Sequence, residues 1–306
     1  MAASRRFNKS PWCYDDHHCG PSTWLSMGQC GGKRQSPIDI NPDKTTHNSK
    51  LGPIILTGYG DSKKLLEMKN TGKTVDVELG DGLQLSGHGL PAPYTAKSFH
   101  LHWGNGNSRP GSEHYINGRQ YSMELHIVHT KNNMSVADAL KDPEGIAVLG
   151  FFVQGYEKTK GKTAEAWESL IKYLPKVSVK GEDTDLDGTV SLLDLLGTTD
   201  LARYYRYPGS LTTPDCNEVV LWTIFVEPIL VPLKVVAAFP ELYSTSSPGG
   251  PHLENNFRPL QKIEERTVEA SASMKSQLRS AAALDSQPVK FLLLIFITTI
   301  TSFLPV

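Results

Sequence analysis

The sequence of 306 residues lacks an excess of charge of either sign. Its 31 lysines and arginines nearly balance 32 aspartates and glutamates, so the formal net charge is −1. We therefore expect no nucleic-acid partner and no general attraction to anionic surfaces. Internal repeats are also missing. Hydrophobic residues at 39% and charged residues at 21% are typical of a globular protein with a substantial core.

Cysteines are few, and the first residues contain no apolar segment of the kind that a secretory signal needs. The chain has four cysteines: Cys13, Cys19, Cys30 and Cys216. A metal site built from the first three with His17 or His18 is disfavoured, because no C-x-x-C pair is present. Two disulfides are expected instead; three pairings are open, and an oxidising compartment is implied. We therefore interpret the missing signal as a truncated gene model.

The C-terminus carries an apolar run, but one shorter than a membrane-spanning helix. Residues 291–306 read FLLLIFITTITSFLPV, against roughly 20 apolar residues for a spanning helix. Small residues at 280–282 and a polar spacer at 283–290 precede it. This order predicts a glycolipid (GPI) anchor attached at Ser280 and removal of the tail, with the protein on the extracellular face of the plasma membrane. A buried C-terminal helix and a short tail anchor are the alternatives.

Two further motifs decide little. Asn8 and Asn133 begin glycosylation sequons, which are common by chance. Residues 183–194 copy the oxygen spacing of a calcium-binding EF-hand loop. However, Pro175 and Gly181 disrupt the entering helix, and the usual final glutamate is missing. A solvated acidic loop is the preferred interpretation.

Short stretches rich in β-branched and aromatic residues alternate with turn formers through most of the chain. We predict strands at 74–79, 98–103, 124–129, 147–153 and 219–226. Two helices are predicted, at 163–174 before Pro175 and at 191–196 before Gly197. The sequence thus predicts a mainly β, single domain at 12–269. It would follow an N-terminal segment at 1–11 and precede a Ser/Ala-rich stalk at 270–290.

Two of the predicted strands carry a candidate metal site. His100 and His102 lie two residues apart and therefore face the same side of a strand, as do Glu124 and His126, whereas His129 faces the other side. If the strands pair, three imidazoles can hold one ion and leave a fourth tetrahedral position for water, as catalytic zinc requires. The alternative is a set of hydrogen-bonded strand histidines without metal.

The sequence resembles the alpha-class carbonic anhydrases, and within them the lipid-anchored carbonic anhydrase IV branch. Five motifs carry the resemblance in order along the chain: QSPIDI (35–40), FHLHWG (99–104), GSEH (111–114), ELHIVH (124–129) and YPGSLTTP (207–214). The resemblance implies a large twisted, mostly antiparallel central sheet with a few short peripheral helices and a conical zinc cleft. It also implies the disulfides Cys13–Cys19 and Cys30–Cys216.

The resemblance further implies reversible hydration of carbon dioxide to bicarbonate and a proton by a zinc-bound hydroxide. Glu124 would orient His126. Thr212 would accept a hydrogen bond from the hydroxide while donating its own to Glu113, because an ionised carboxylate only accepts. The cleft would place bicarbonate near Thr212 and Thr213. Carbon dioxide would rest on an apolar wall formed by Val128, Val148, Leu211, Val220 and Trp222.

The sequence departs from the family at two positions. Where fast members have a shuttle histidine in Asn-x-Gly-His, this chain has Lys73, whose ordinary pKa near 10.4 makes it a poor proton shuttle. Ser98 stands where a glutamine usually bonds a zinc ligand. We expect a monomer that binds sulfonamides. The rival hypotheses are a binding module without activity, a general zinc esterase and a purely structural zinc site.

Overall fold

The computed structural model describes residues 12–274. The predictions for Asn8, Ser280 and the C-terminal apolar run lie outside the described residues. Within residues 12–274, no helix combines the length and apolar content needed to cross a membrane.

Strands dominate the described chain, and its helices are short. The strands are β1 (Asp39–Ile40), β2 (Thr46–His47), β3 (Ile54–Thr57), β4 (Leu65–Asn70), β5 (Val75–Leu79), β6 (Gln84–Gly87), β7 (Tyr94–Trp103), β8 (Tyr115–Ile116), β9 (Met123–Lys131), β10 (Ile146–Tyr156), β11 (Asp183–Asp185), β12 (Tyr204–Gly209), β13 (Val220–Phe225), β14 (Ile229–Pro232) and β15 (Glu269–Ala270). The α-helices are α1 (Val136–Ala139), α2 (Lys162–Leu170), α3 (Leu192–Leu196) and α4 (Leu233–Ala238). The 3₁₀ segments are Pro21–Ser26, Pro42–Lys44, Ser62–Lys64, Gly106–Ser108, Ile171–Val177, Phe239–Glu241 and Ala272–Met274.

One large sheet organises the described residues. Its main path runs β11-β4-β5-β7-β9-β10-β13-β12-β15-β2, with β14 added to β10, and β3 joined through β6 to β7. Most neighbours are antiparallel, but β10 pairs in parallel with both β13 and β14, and β15 with β2. The prediction of a mainly β fold on a large, mostly antiparallel sheet is confirmed, and the sheet is mixed rather than purely antiparallel.

The central strands are buried on both faces, because an apolar cluster lies on each side of the sheet. Phe99, Leu101 and Ile127 belong to the larger cluster, while Val148 and Phe152 belong to the smaller one. Each of the five predicted strand segments corresponds to an observed strand: β5, β7, β9, β10 or β13. β7, β9 and β10 are longer than predicted, whereas β5 begins one residue later and β13 is one residue shorter at each end. His129 points to the larger core, as the alternation predicts, and its ring contacts Tyr59.

The two predicted helices are present with altered ends. The first is α-helical only to Leu170 and continues as a 3₁₀ segment, Ile171–Val177, that includes Pro175. The prediction that Pro175 ends the helix was therefore wrong. The α-helix ends at Leu170, about one turn earlier, and the 3₁₀ helix that follows it includes the proline. The second, α3, begins after Ser191, whose side chain caps the helix by accepting the Asp194 backbone N–H. It ends before Gly197, which has a positive φ of 63°.

The acidic segment with EF-hand spacing is not a helix-flanked loop. Asp183–Asp185 forms the edge strand β11, paired with β4. Its exposed carboxylates therefore lie along a sheet edge, so the EF-hand interpretation fails on structure as well as on spacing.

The final strand, β15, includes residue 270 and so extends one residue past the predicted domain end at residue 269.

Both disulfides that the resemblance implies are present. Cys13–Cys19 closes a short loop, and Cys30–Cys216 joins residues 186 positions apart. The second bridge lies in a small cluster with Trp24, on which Trp12 and Tyr14 also pack. It therefore ties the chain around Cys30 to the loop that follows β12.

Candidate metal centre

Three histidines converge on the face of the sheet opposite the larger core. In the pairing of β7 with β9, His100 lies opposite His126 and His102 lies opposite Glu124. One ring nitrogen of each histidine lies within 4.8 Å of those of the other two. The metal-ligand set expected from the H-x-H and E-x-H patterns is thus brought together by the register of two neighbouring strands.

The chemistry of this cluster fits a metal ion. Nε2 of His102 and Oε2 of Glu113 are buried without a hydrogen-bond partner among the described residues, and they lie 3.4 Å apart. Burial, followed by the neighbouring His126, lowers the pKa of His102 to about 3, so this imidazole is neutral as a ligand must be. Three neutral nitrogen donors with room for a fourth ligand suit zinc.

Two of the three imidazoles are oriented by strong acceptors. Nδ1 of His102 lies 2.7 Å from the carbonyl oxygen of Asn256, and Nε2 of His126 lies 2.7 Å from Oε1 of Glu124. These contacts place a proton on the nitrogen that faces away from the cluster and leave the other nitrogen free to bind metal. The contact between Glu124 and His126 is the one proposed from the sequence.

Glu124 also contacts a histidine to which the sequence analysis gave no role. Oε1 of Glu124 lies 2.7 Å from Nδ1 of His114, and Oε2 accepts the His114 backbone N–H at 2.7 Å. On its other side, Nε2 of His114 lies 2.6 Å from the Tyr207 hydroxyl, which contacts Ser36 at 2.8 Å. The signal available in the sequence was the GSEH motif, where His114 directly follows Glu113.

The charge of Glu124 is favoured by these neighbours. Burial raises its pKa, but the nearby His114 and His126 and their hydrogen bonds outweigh burial, so the pKa lies well below its ordinary value. Glu124 is thus an ionised carboxylate in a fully buried site, which strengthens its hydrogen bond to His126.

The third imidazole has a different neighbour from the one expected. Ser98 does not bond His100; its hydroxyl donates to Oδ1 of Asp76 at 3.1 Å. The same Oδ1 lies 4.0 Å from Nδ1 of His100, its cross-strand partner. Burial raises the pKa of Asp76 to about 6, with the Ser98 hydrogen bond acting in the opposite direction. Asp76, which the sequence analysis missed, is the nearest acidic group to the outer nitrogen of His100.

Glu113 and Thr212 lie beside the histidines. Glu113 is fully buried, its Oε1 accepts the Arg258 backbone N–H at 2.8 Å, and the Thr212 side chain is near enough to lower its pKa. Burial raises the pKa of Glu113 to about 7, while His126 and the Thr212 hydrogen bond oppose this rise. A cation held by the three imidazoles would favour the ionised carboxylate.

The loop that carries Thr212 is held at several points. The N–H of Leu211 donates to Asn217 at 3.1 Å, and the N–H of Cys216 donates to Thr213 at 2.8 Å. The disulfide to Cys30 fixes Cys216 from outside the loop. These contacts restrain the backbone on both sides of Thr212, which fixes the direction of its hydroxyl.

The five residues of the predicted apolar wall lie in or against one apolar cluster, and that cluster reaches the histidines through Trp222. The Trp222 ring lies 4.8 Å from the His126 ring, and its indole N–H donates to the Ser210 carbonyl at 3.0 Å. Val148, Val220 and Trp222 are buried members of one apolar cluster, and Val128 and Leu211 are partly buried and pack against it. The role of these five residues as a wall for carbon dioxide stays a prediction.

Lys73 packs against Trp12, just before the N-terminal disulfide loop. Its ammonium lies 5.0 Å from the centre of the Trp12 ring. Burial, followed by the repulsion of Lys180, lowers the pKa of this ammonium from its ordinary value, and Asp15 partly opposes the change. Asn256, which accepts from His102 through its own carbonyl, donates its side-chain amide to the Lys73 carbonyl at 3.0 Å. The backbone of Lys73 is therefore linked to the metal centre.

Comparison with known proteins gives one family. The family model for eukaryotic-type carbonic anhydrases matches residues 19–272. The chain is 38% identical to carbonic anhydrase 4 of Mus musculus over 85% of the chain and 84% of that protein. It is 35% identical to carbonic anhydrase 12 of Homo sapiens over 90% of the chain and 77% of that protein. It is 36% identical to carbonic anhydrase 3 of Bos taurus over 85% of the chain and 98% of that protein.

We predict that Asp76 helps to retain zinc by accepting the outer N–H of His100, directly or through one water. Loss of an outer-shell acceptor typically costs about 10- to 100-fold in metal affinity. Asp76→Ala should therefore speed the transfer of zinc to a chelator by roughly that factor, measured with an absorbing zinc indicator.

The matched control is Glu78→Gln, which changes an exposed carboxylate on the same face of β5. A second variant, Ser98→Gln in the Asp76→Ala background, should restore slow zinc release by supplying an amide acceptor. If Asp76→Ala releases zinc at the wild-type rate, Asp76 has no part in holding His100.

Proposed function

The chain belongs to the eukaryotic-type carbonic anhydrases, and on this premise we propose that His100, His102 and His126 hold the zinc at which it hydrates carbon dioxide reversibly to bicarbonate and a proton. The observation that carries this assignment is the convergence of the three ring nitrogens within 4.8 Å, beside the buried pair of Glu113 and Thr212.

Zinc, when bound, acts as a Lewis acid that makes water a nucleophile near neutral pH. The protein contributes the orientation of that chemistry. Glu113 can only accept hydrogen bonds when ionised, so the Thr212 hydroxyl must donate to it. The Thr212 oxygen is then left as an acceptor, and it turns the proton of the attacking oxygen away from the substrate.

Substrate binding uses apolar contact and a small number of polar groups. Carbon dioxide has no charge and is held weakly, so a wall of Val128, Leu211 and Trp222 suits it better than a polar pocket. The Thr212 N–H and the Thr213 side chain lie on the restrained loop, where they can bind the oxygens of bicarbonate. The polar contacts thus favour the charged product side of the cleft, and the apolar wall favours the neutral substrate.

An active enzyme is preferred over the rival hypotheses. A binding module on this fold would have no need to keep three convergent imidazoles, an unpartnered buried Glu113 oxygen and the Thr212 hydrogen bond together. A structural zinc site would need a fourth protein ligand, and the histidine group found among residues 12–274 has three members. General esterase activity is separated by comparing ester hydrolysis with carbon dioxide hydration.

The location follows from the disulfides and the tail. Two disulfides within the described residues favour an oxidising compartment. The similarity to carbonic anhydrase 4 supports placing the chain in the lipid-anchored branch of the family. We infer that a GPI anchor at Ser280 holds the protein, as a monomer, on the extracellular face of the plasma membrane. The small residues at 280–282, the spacer and the apolar end carry this inference.

Replacing Thr212 tests the proposed orientation of the nucleophile. Thr212→Ala should lower kcat/KM for carbon dioxide hydration by roughly 100-fold, as for the loss of one preorganised hydrogen bond at a reacting oxygen. Stopped-flow hydration would measure this, with sulfonamide inhibition confirming that the rate belongs to the zinc site. Thr212→Ser keeps the hydroxyl and should lose much less. Equal rates for the alanine, serine and wild-type proteins would show that the hydroxyl has no role in hydration.

Replacing Lys73 tests the proton-transfer step. Lys73→His places a group with an ordinary pKa near 6.5 at the shuttle position, so it can both accept and donate a proton near neutral pH. Turnover in weak buffer should rise, while kcat/KM and turnover in concentrated imidazole buffer should change little. Lys180→His is a control, because it alters a neighbouring lysine without changing the shuttle position. An unchanged turnover in weak buffer would contradict a limit imposed by Lys73.

The anchor is tested by enzymatic release from cells. A phospholipase specific for glycosylphosphatidylinositol should move both the protein and its hydration activity from the surface of expressing cells to the medium. Replacing Ser280, Ala281 and Ala282 with bulky residues should prevent surface display. Retention of the wild-type protein after phospholipase treatment would favour a tail anchor instead.

A further inference from the structure

The N-terminal disulfide loop carries a group of metal-binding side chains that the reaction does not use. The loop reads Cys-Tyr-Asp-Asp-His-His-Cys from residue 13 to residue 19. Its ends are joined by the disulfide and by the hydrogen bond from the Cys13 N–H to the Cys19 carbonyl, at 2.8 Å. Inside the loop, the Asp16 carbonyl accepts the N–H groups of Cys19 and Gly20 at 3.2 and 2.6 Å. The backbone that carries the side chains is therefore closed and restrained.

Three potential ligand atoms of this loop lie close together. One oxygen of Asp16 and one nitrogen each of His17 and His18 are all within 4.8 Å of one another. Oδ1 of Asp16 lies 3.6 Å from Nδ1 of His17 and accepts the His18 backbone N–H at 2.7 Å. The two imidazole rings are 3.8 Å apart and tilted by 40°. One ligand atom from each ring and one from the carboxylate are thus already close enough together to share an ion.

The group is separate from the three zinc histidines and differs from them in exposure. His17 and Asp16 are 83% and 54% exposed, whereas the zinc ligands His102 and His126 are buried. Among the described residues, the only ion pair recorded for His17 is the one with Asp16. Binding an ion would therefore break no recorded ion pair of His17 with another part of the described chain.

The donor set decides the class of metal. Two imidazoles and one carboxylate favour divalent transition metals, whereas calcium and magnesium prefer sites made of oxygen. Copper(II) binds nitrogen and oxygen donors most tightly in the divalent series and accepts open tetragonal sites completed by water. An exposed loop with three ligands on one side suits that geometry better than the closed tetrahedron of structural zinc.

We propose that Asp16, His17 and His18 form a second metal site, which takes one divalent transition-metal ion and copper(II) most tightly. The site lies on the loop that borders a cavity of about 310 Å³ lined by Asp16, Cys19 and Lys73 among others. Trp12, just before the loop, packs on Lys73.

The test uses the full, zinc-loaded chain, purified without a polyhistidine tag and kept oxidised. Copper(II) is added, and its binding is measured by equilibrium dialysis and by electron paramagnetic resonance. The wild-type protein should bind one more copper ion than the variant His17→Ala/His18→Ala, and its spectrum should show coupling to imidazole nitrogen. Asp16→Asn should weaken that binding at least several-fold. An excess of calcium should not displace the copper.

Two controls keep the result specific. His88→Ala removes a single exposed histidine elsewhere and should bind copper as the wild type does. Zinc content and the hydration rate without copper should be the same in all variants, which shows that the catalytic centre is intact. The proposal is overturned if the double variant binds as much copper as the wild type, if His88→Ala loses an equal amount, or if calcium competes on equal terms.

Discussion

The register between β7 and β9 is the constraint on which the rest of the site depends. It places His100 opposite His126, so the imidazoles from two strands meet over one face of the sheet. Because side chains alternate along a strand, a slip of one residue would turn the histidines of the slipped strand into the larger apolar core and separate them from those of its partner. Leu101 and Ile127, which fill that core on the opposite face, hold the register in place. The apolar face therefore positions the polar one.

Burying three imidazoles and two carboxylates is costly unless each polar atom has a partner, and the surrounding fold supplies those partners. One set of contacts runs from Glu124 through His114 to Tyr207. Another begins at Glu113, which accepts from the Arg258 backbone, while the guanidinium of Arg258 donates to carbonyls near the disulfide at Cys30. Among the described residues, Nε2 of His102 and Oε2 of Glu113 remain without a hydrogen-bond partner, and they lie 3.4 Å apart beside the histidine cluster.

The two exceptions to the family pattern change the same edge of the cleft. Ser98 is too short to reach His100 and instead contacts Asp76, so a carboxylate on β5 stands near the nitrogen that an amide would otherwise bind. Lys73, two residues before β5, packs against Trp12. It stands at the position where other members of the family have a histidine. Both positions therefore lie next to His100 or to the N-terminal disulfide loop, away from the Thr212 loop.

The sequence alone indicated the candidate zinc ligands, the predominance of strands and the presence of disulfides. Period-two alternation and spacing are local properties, and His100, His102 and His126 could be identified from them together with the family motifs. It could not identify Asp76 or the role of His114, because these residues reach the site across strand pairs whose partners are distant in sequence. It also placed the end of α2 wrongly at Pro175. Only the tertiary structure decided which acceptor lies behind each imidazole, since that depends on the pairing of β5, β7 and β9 and on the loops packed over them.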